Sequence, residues 1–272
     1  MTSGVSVWQA TVLGAVEGLT EYLPISSTGH LILVSRWLGL QGRAVDTFDI
    51  VIQGGAIAAV AGLYRGRLAS FWQAVRGRDA AGRQLLINLL VSFLPAAVVG
   101  FALHQAIKTY LFRVWPVVAA LVAGGLVMIL VPRGFGQAPD AGKPIERMTV
   151  RDALLIGLAQ CLALWPGTSR AMVTILAGLL LGFRAASAAE YSFLLALPTL
   201  GAATIFDAVS GGNLLLAEVG IFSLVLGFVT AAAAAALAVR EFVGYLTRRG
   251  LEPFGWYRMA LAVAISMVGI SR

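Results

Sequence analysis

The sequence predicts an all-α integral membrane protein, with six spanning helices and two re-entrant helical hairpins arranged as an inverted-topology repeat. Three observations carry this expectation. Of the 272 residues, 59% are hydrophobic and only 12% are charged, at a mean hydropathy of +0.86, whereas roughly a quarter of residues are charged in a soluble globular domain. Six apolar stretches are each long enough for a spanning helix, which needs about 20 mainly apolar residues. Two more are apolar but broken near their centres by Pro, Gly, Ser, Thr and ionisable residues. No room remains for a large soluble domain, so the whole chain, 1–272, reads as one polytopic membrane domain.

In chain order, the first broken stretch covers 5–40 and is interrupted by LPISSTGH at 23–30. It lacks the basic leading segment of a signal peptide and carries two Glu, so it reads as part of the mature fold. Spans follow at 47–64, 84–104 and 115–132. The second broken stretch, 150–182, is interrupted by WPGTSR at 165–170, and spans follow at 189–208, 217–240 and 255–271. Each apolar flank of a break is short for a full crossing, and non-helical backbone at membrane depth survives only where protein or a water-filled cavity satisfies it. Two re-entrant hairpins are the economical reading. The breaks also resemble each other: Gly14, Glu17, Leu19, Pro24 and Ser27 align with Gly157, Gln160, Leu162, Pro166 and Ser169 if one gap is allowed. One hairpin plus three spans, an odd number, then gives two units, about 1–132 and 150–272, that enter the membrane from opposite sides. Such repeats place their site near the midplane.

The basic residues test this arrangement. With the loop after the first span inside, fourteen Lys and Arg, from Arg65 through Arg133 to Arg258, fall on inner segments. Five (Arg36, Arg43, Lys108, Arg113 and Arg272) fall outside, and Arg170 is left within the second hairpin. The bias puts both termini outside. It also accounts for the net charge of +7 without nucleic acid as a partner. The single cysteine, Cys161, excludes an intramolecular disulfide and a multi-cysteine zinc site; it reads as a packing residue.

Ionisable residues inside apolar stretches are expensive, at about 2.5 kcal/mol or more each by insertion scales, and mark functional sites by default. Glu17 and Glu21 lie four residues apart, on one helix face. They could hold a hard divalent cation such as Mg²⁺ or Ca²⁺ through oxygen ligands, or divide acid and base roles. Pro24 disfavours helix at Leu23, and Ser26, Ser27 and Thr28 suit the cap of a restarting helix. With Gly29 they would offer N–H groups and hydroxyls to a phosphate or another anion. His30, one turn past Ser27, completes a minimal activated-nucleophile pair. The second break supplies Ser169, Arg170 and, one turn on, Thr174. Arg170 must face an anion: either Glu17 or Glu21, or a phosphate clamped by its planar fork. Asp49 and Gln53 could line the entrance or orient these groups, while His104, Glu190 and Asp207 fit interfacial positions. Two carboxylates, a Ser–His pair, an Arg and two helix N-termini make a phosphoryl-transfer set. The rival class is a secondary transporter or lipid flippase, which also uses inverted repeats with broken helices but has little need of the Ser–His pair.

The stretch Glu17-Gly-Leu-Thr-Glu21-Tyr-Leu-Pro-Ile-Ser-Ser-Thr-Gly-His30, with Trp165-Pro-Gly-Thr-Ser-Arg170 and Glu190-Tyr-Ser-Phe-Leu-Leu-Ala-Leu-Pro198, resembles the bacterial undecaprenyl-pyrophosphate phosphatases of the bacitracin-resistance type. The likeness spans nearly the whole chain, including Phe48–Gln53 and Pro253–Arg258. It implies removal of one phosphate from undecaprenyl pyrophosphate, returning the carrier lipid to cell-wall synthesis. The family's glutamates fall on Glu17 and Glu21, its serine and histidine on Ser27 and His30, and its arginine on Arg170. The expected setting is the bacterial inner membrane, with the site opening to the outer (periplasmic) side. The expected partners are a polyprenyl pyrophosphate, membrane lipids and a second copy in a homodimer. One departure stands out: the family continues Ser-Arg-Ser-Gly-Ala-Thr where this chain has Ser169-Arg170-Ala171-Met172-Val173-Thr174. The hydroxyl lost at 171 is then dispensable, and the bulk of Met172 bears on how closely helix and substrate approach.

Overall fold

Apolar runs punctuated by capping side chains and glycines form eleven α-helices in a computed structural model that describes residues 4–111, 113–131 and 142–270. They are α1 (Val7–Glu21), α2 (Ser27–Trp37), α3 (Arg43–Leu63), α4 (Arg65–Val75), α5 (Ala80–Ala106), α6 (Val114–Leu130), α7 (Val150–Gln160), α8 (Arg170–Leu180), α9 (Ala185–Glu218), α10 (Ile221–Arg249) and α11 (Glu252–Ile270). The fold is all-helical; the only strand-like pairing among the described residues is an isolated bridge between Lys143 and Phe183. Arg133 and Arg272, and the ends of the spans drawn to 132 and 271, lie outside the described residues.

Both broken stretches are pairs of short helices. α1 and α2 have 15 and 11 residues and flank a turn; α7 and α8 have 11 each and flank a 3₁₀ turn and the 165–169 loop. At 1.5 Å per residue these are about 16–23 Å long. Thr149 starts α7 with a capping box, accepting from the Asp152 N–H while the Asp152 carboxylate accepts from the Thr149 N–H. Asp79 caps α5 by accepting from the Gly82 N–H at 2.8 Å.

Four helical segments are long and apolar enough to cross a membrane: Arg43–Leu63, Ala80–Ala106, Ala185–Ser210 and Ile221–Arg249. α6, at 17 residues, is apolar but shorter, and α11 has 19. The chain is therefore a multi-pass membrane protein by its helices. The sequence reading contains no counterpart of α4, whose polar and basic ends read as loop. Arg67 ties this helix down, donating to Glu190 of α9 at 2.8 Å and to Glu146 at 3.0 Å.

The packing follows from small residues at close approaches. α1 lies on α10, where a Cβ on Gly14 would overlap the Gly227 carbonyl oxygen. α7 lies on α5, where a Cβ on Gly157 would come within 2.5 Å of the Ser92 carbonyl oxygen. α3 packs on α9, and α6 on α11. The breaks face a core in which Tyr22, Phe193 and Phe242 meet edge-on or tilted. Large apolar side chains such as Phe101 and Val209 stand exposed on the outside.

Candidate active site

Each break restarts its helix through the same strained backbone. Ser26 has φ 70° and ψ 98°, Ser169 φ 72° and ψ 112°; they are the positive-φ residues other than glycine among the described residues. Such a conformation costs on the order of 1–3 kcal/mol. The Oγ of each serine caps the helix it precedes, Ser26 accepting from the Gly29 N–H at 3.3 Å and Ser169 from the Met172 N–H at 3.2 Å. Ser26 and Ser169 are separated by the same interval as Gly14 and Gly157, or Glu17 and Gln160, so the gap in the sequence alignment is not needed. Ser27 stands opposite Arg170, not opposite Ser169.

Around Glu21 three donors converge. Ser27 Oγ donates to Glu21 Oε2 at 2.6 Å, Gln53 Nε2 to the same oxygen at 3.2 Å, and Arg170 Nη2 to Glu21 Oε1 at 3.1 Å. Arg170 is 8% exposed, and its Nη1 reaches Ser192 O and Oγ at 2.9 and 3.2 Å. Its guanidinium carbon lies 5.4 Å from the centre of the Tyr22 ring, within cation–π range. Thr174 bonds Arg170 O and Ser192 Oγ, so it braces the arginine. The Arg170 Nε is buried without a partner, a donor left open for an anion.

His30 departs from its expected pairing with Ser27. Its Nδ1 lies 2.7 Å from Ser26 O and its Nε2 2.7 Å from Tyr257 Oη. A carbonyl oxygen can only accept, so Nδ1 carries the proton and, in the neutral ring, Nε2 accepts from the tyrosine hydroxyl. Ser27 has a carboxylate beside it instead. Of the other expected groups, Ser26 is buried in its cap, Thr28 and Ser169 are half-buried, and Gly29 is buried against Leu121 and Leu261.

Glu17 is 1% exposed, its carboxylate lies beside Gln53 and Glu21, and neither oxygen makes a hydrogen bond of good geometry. No cluster of three or more His, Cys, Asp or Glu gathers as a metal-ligand set among the described residues. A cation would therefore have to draw its remaining ligands from substrate and water, as Mg²⁺ commonly does with one or two carboxylates and phosphate oxygens. Glu17, whose oxygens are only loosely met, fits that role, whereas Glu21 is already engaged.

The chain matches the family model of the bacitracin resistance protein BacA over residues 10–264. It belongs to this family. It is 52% identical over 260 residues to an undecaprenyl-diphosphatase of Sorangium cellulosum, covering 95% of this chain and 85% of that protein. It is 44% identical to an undecaprenyl-diphosphatase of Solidesulfovibrio magneticus over 94% and 96% of the two chains, and 43% identical to undecaprenyl-diphosphatase 2 of Rhodospirillum rubrum over 94% and 93%.

In this BacA family member, three contacts escaped the residue-by-residue reading: Ser192, Tyr257 and Arg258. All three fall inside stretches that carry the family likeness, which was the available signal. Arg258, placed among the inner loop residues by sequence, is 0% exposed, so Arg170 is not alone as a buried arginine. α11 begins at Glu252 and carries Arg258 in its second turn, beneath the surface. Ala171 and Met172 are also buried, and the Met172 sulfur packs toward Gly124 of α6. Beside the first break, a cavity of about 600 Å³ is lined by Leu19, Leu23, Ile25, Phe242, Phe254 and Tyr257, among others.

Proposed function

We propose that this chain is a membrane phosphatase that hydrolyses undecaprenyl pyrophosphate to undecaprenyl phosphate and inorganic phosphate, recycling the carrier lipid of cell-wall synthesis. The family and the undecaprenyl-diphosphatase relatives carry the substrate. The observation that carries the chemistry is the 2.6 Å hydrogen bond from Ser27 Oγ to Glu21, whose other oxygen holds Arg170.

In this reading, Ser27 Oγ attacks the terminal phosphorus while its proton passes to Glu21, and undecaprenyl phosphate leaves. Water then cleaves the phosphoserine, releasing inorganic phosphate and restoring the hydroxyl. Proton transfer neutralises Glu21, which loosens its hold on Arg170 just as negative charge gathers on the phosphoryl oxygens. The guanidinium fork, with Nε still open, is suited to take that charge. His30 acts on the backbone of Ser26 and thereby on the strained turn that presents Ser27. The half-buried Thr28 and Ser169 donate to the phosphates, Ser26 and Gly29 hold the helix restart that carries Ser27, and Gln53 and Thr174 orient Glu21 and Arg170. A divalent cation, Mg²⁺ or Ca²⁺, would rest on Glu17 and phosphate oxygens, leaving Glu21 to Ser27 and Arg170, and would supply charge neutralisation. The apolar cavity beside Tyr257 suits the first isoprene units.

The architecture belonging to this reading is six spans with α1–α2 and α7–α8 re-entrant, both termini outside, and the site opening to the outer side. Short helices of 11–15 residues, against a hydrocarbon core about 30 Å thick, support the hairpins. The exchange of partners, α1 on α10 and α7 on α5, supports units of about 1–132 and 150–272 in inverted relation. A homodimer also belongs to the reading, and the mass of the detergent-solubilised protein tests it.

The deciding experiment uses purified protein in detergent. We expect phosphate release from a prenyl pyrophosphate, label trapped on Ser27 by rapid quench with terminally labelled substrate, and near-background turnover in Ser27→Ala. Release without trapping, together with a loss of only about a hundred- to a thousand-fold in Ser27→Ala, would instead make water the nucleophile. No release with any divalent cation would return the chain to the transporter class.

A further inference from the structure

Arg258 spends all of its donors on backbone. Nε donates to Leu121 O at 3.3 Å, Nη1 to Pro24 O at 3.4 Å and Thr168 O at 3.0 Å, and Nη2 to Ala120 O and Gly167 O at 2.9 Å each. These five bonds match the five N–H groups of a guanidinium. They join three separate pieces of chain: the first break at Pro24, the second at Gly167 and Thr168, and α6 at Ala120 and Leu121. A wholly buried cation is costly unless every donor is met, so its retention here needs a reason beyond packing.

We propose that Arg258 is a positioning residue that sets the separation between the two breaks, and with it the placement of Ser27 against Arg170. Pro24 lies two residues before strained Ser26, and Thr168 immediately before strained Ser169. One planar fork therefore fixes the entry to both helix restarts. Gly124 makes the space for it: a Cβ there would overlap Nη2 and lie 2.9 Å from the Arg258 guanidinium carbon. The neighbouring Tyr257 holds His30, so consecutive residues of α11 reach both the backbone and the imidazole of the site. Lysine could not substitute, since an ammonium has three donors on a single point and no fork.

The consequence for catalysis rests on the phosphatase reading; the consequence for geometry does not. The test therefore has two arms. In the first, kcat and KM for a prenyl pyrophosphate are measured on Arg258→Lys and on Gly124→Ala, which displaces the guanidinium without removing its charge. We expect kcat to fall by about a hundredfold, the effect of a misplacement near 1 Å, with KM changed far less. In the second, spin labels at Leu19→Cys and Leu162→Cys in a Cys161→Ser background report the distance between the breaks. A single narrow distribution in the parent should broaden or shift in both variants. If Arg258→Lys fails to fold, Gly124→Ala decides alone. An unchanged distribution overturns the proposal whatever happens to kcat, and a changed distribution with full kcat overturns the link to catalysis. If the parent itself releases no phosphate, the phosphatase reading fails while the distances still decide the role of Arg258.

Discussion

Two buried arginines do different work at the residue scale, and their partners say which. Arg170 bonds one carboxylate oxygen, one carbonyl and one hydroxyl while leaving Nε open, an incomplete set suited to an incoming anion. Arg258 is complete without a ligand. Arg170→Lys keeps the charge but cannot reach Glu21 and Ser192 together; kcat/KM should fall by about a hundred- to a thousand-fold with normal membrane insertion, as read from steady-state kinetics on protein recovered from membranes. A fully active lysine variant would remove the fork from the mechanism. Glu17 offers a separate test because its oxygens are buried without a hydrogen bond of good geometry. Glu17→Gln should shift activation by Mg²⁺ or Ca²⁺ to much higher concentrations, while chelator abolishes wild-type turnover. Wild-type activity indifferent to chelator would assign Glu17 to positioning. Much of this was legible in the chain: the i, i+4 glutamates, the Ser-Ser-Thr run, Gln53 and Arg170 are costly or conspicuous groups in apolar surroundings. Ser192 and Tyr257 were not, because a hydroxyl on an apolar helix commonly bonds its own backbone, and only the fold brings these two to Arg170 and His30.

Among the elements, the two broken pairs were visible because proline and a cluster of small polar residues interrupt an otherwise apolar run. Their register was not, because Pro24 and Pro166 suggest an alignment one residue away from the one that the strained serines set. Nor was α4, whose place depends on Arg67 reaching Glu190 and Glu146 across the fold, a pairing with no local signature. The corner between α4 and α5 carries a pH-sensitive cap. The Gly82 N–H, and then the Ser70 hydroxyl, hold the Asp79 carboxyl below the usual carboxylate range. A depressed carboxyl contributes stability that is present above its unfolded pKa and lost as pH falls through its folded one. Hydrogen-exchange protection of Gly82 should therefore exceed that in Asp79→Ala at neutral pH, and the gap should close as pH drops below about 3.9. A gap that persists in acid would show that the cap does not depend on the charge of Asp79.

For the whole molecule, the exchanged packing and the basic residues make one topological claim. Withdrawing buried Arg258 from the inner set leaves thirteen basic residues against five outside; Arg133 and Arg272 in that count lie outside the described residues. The bias still favours an inner α4 and inner connections before α7 and after α10. With both hairpins returning to the side they enter from, six crossings bring the ends of the chain to the same face. Gly4 is a poor place for a probe, since a Cβ there would lie 2.5 Å from the Glu218 carbonyl oxygen, whereas Ser6 is exposed. In a Cys161→Ser background, Ser6→Cys and Ser271→Cys should both react with an impermeant maleimide in intact cells, and Arg78→Cys only after the membrane is opened. Ser271 also lies outside the described residues, so its labelling tests the crossing number independently of the helix packing. Labelling of one end alone would mean an odd number of crossings. One hairpin would then have to span, and the inverted relation of the two units would have to be given up, while the 3.1 Å contact between Arg170 and Glu21, on which the proposed chemistry rests, would stand.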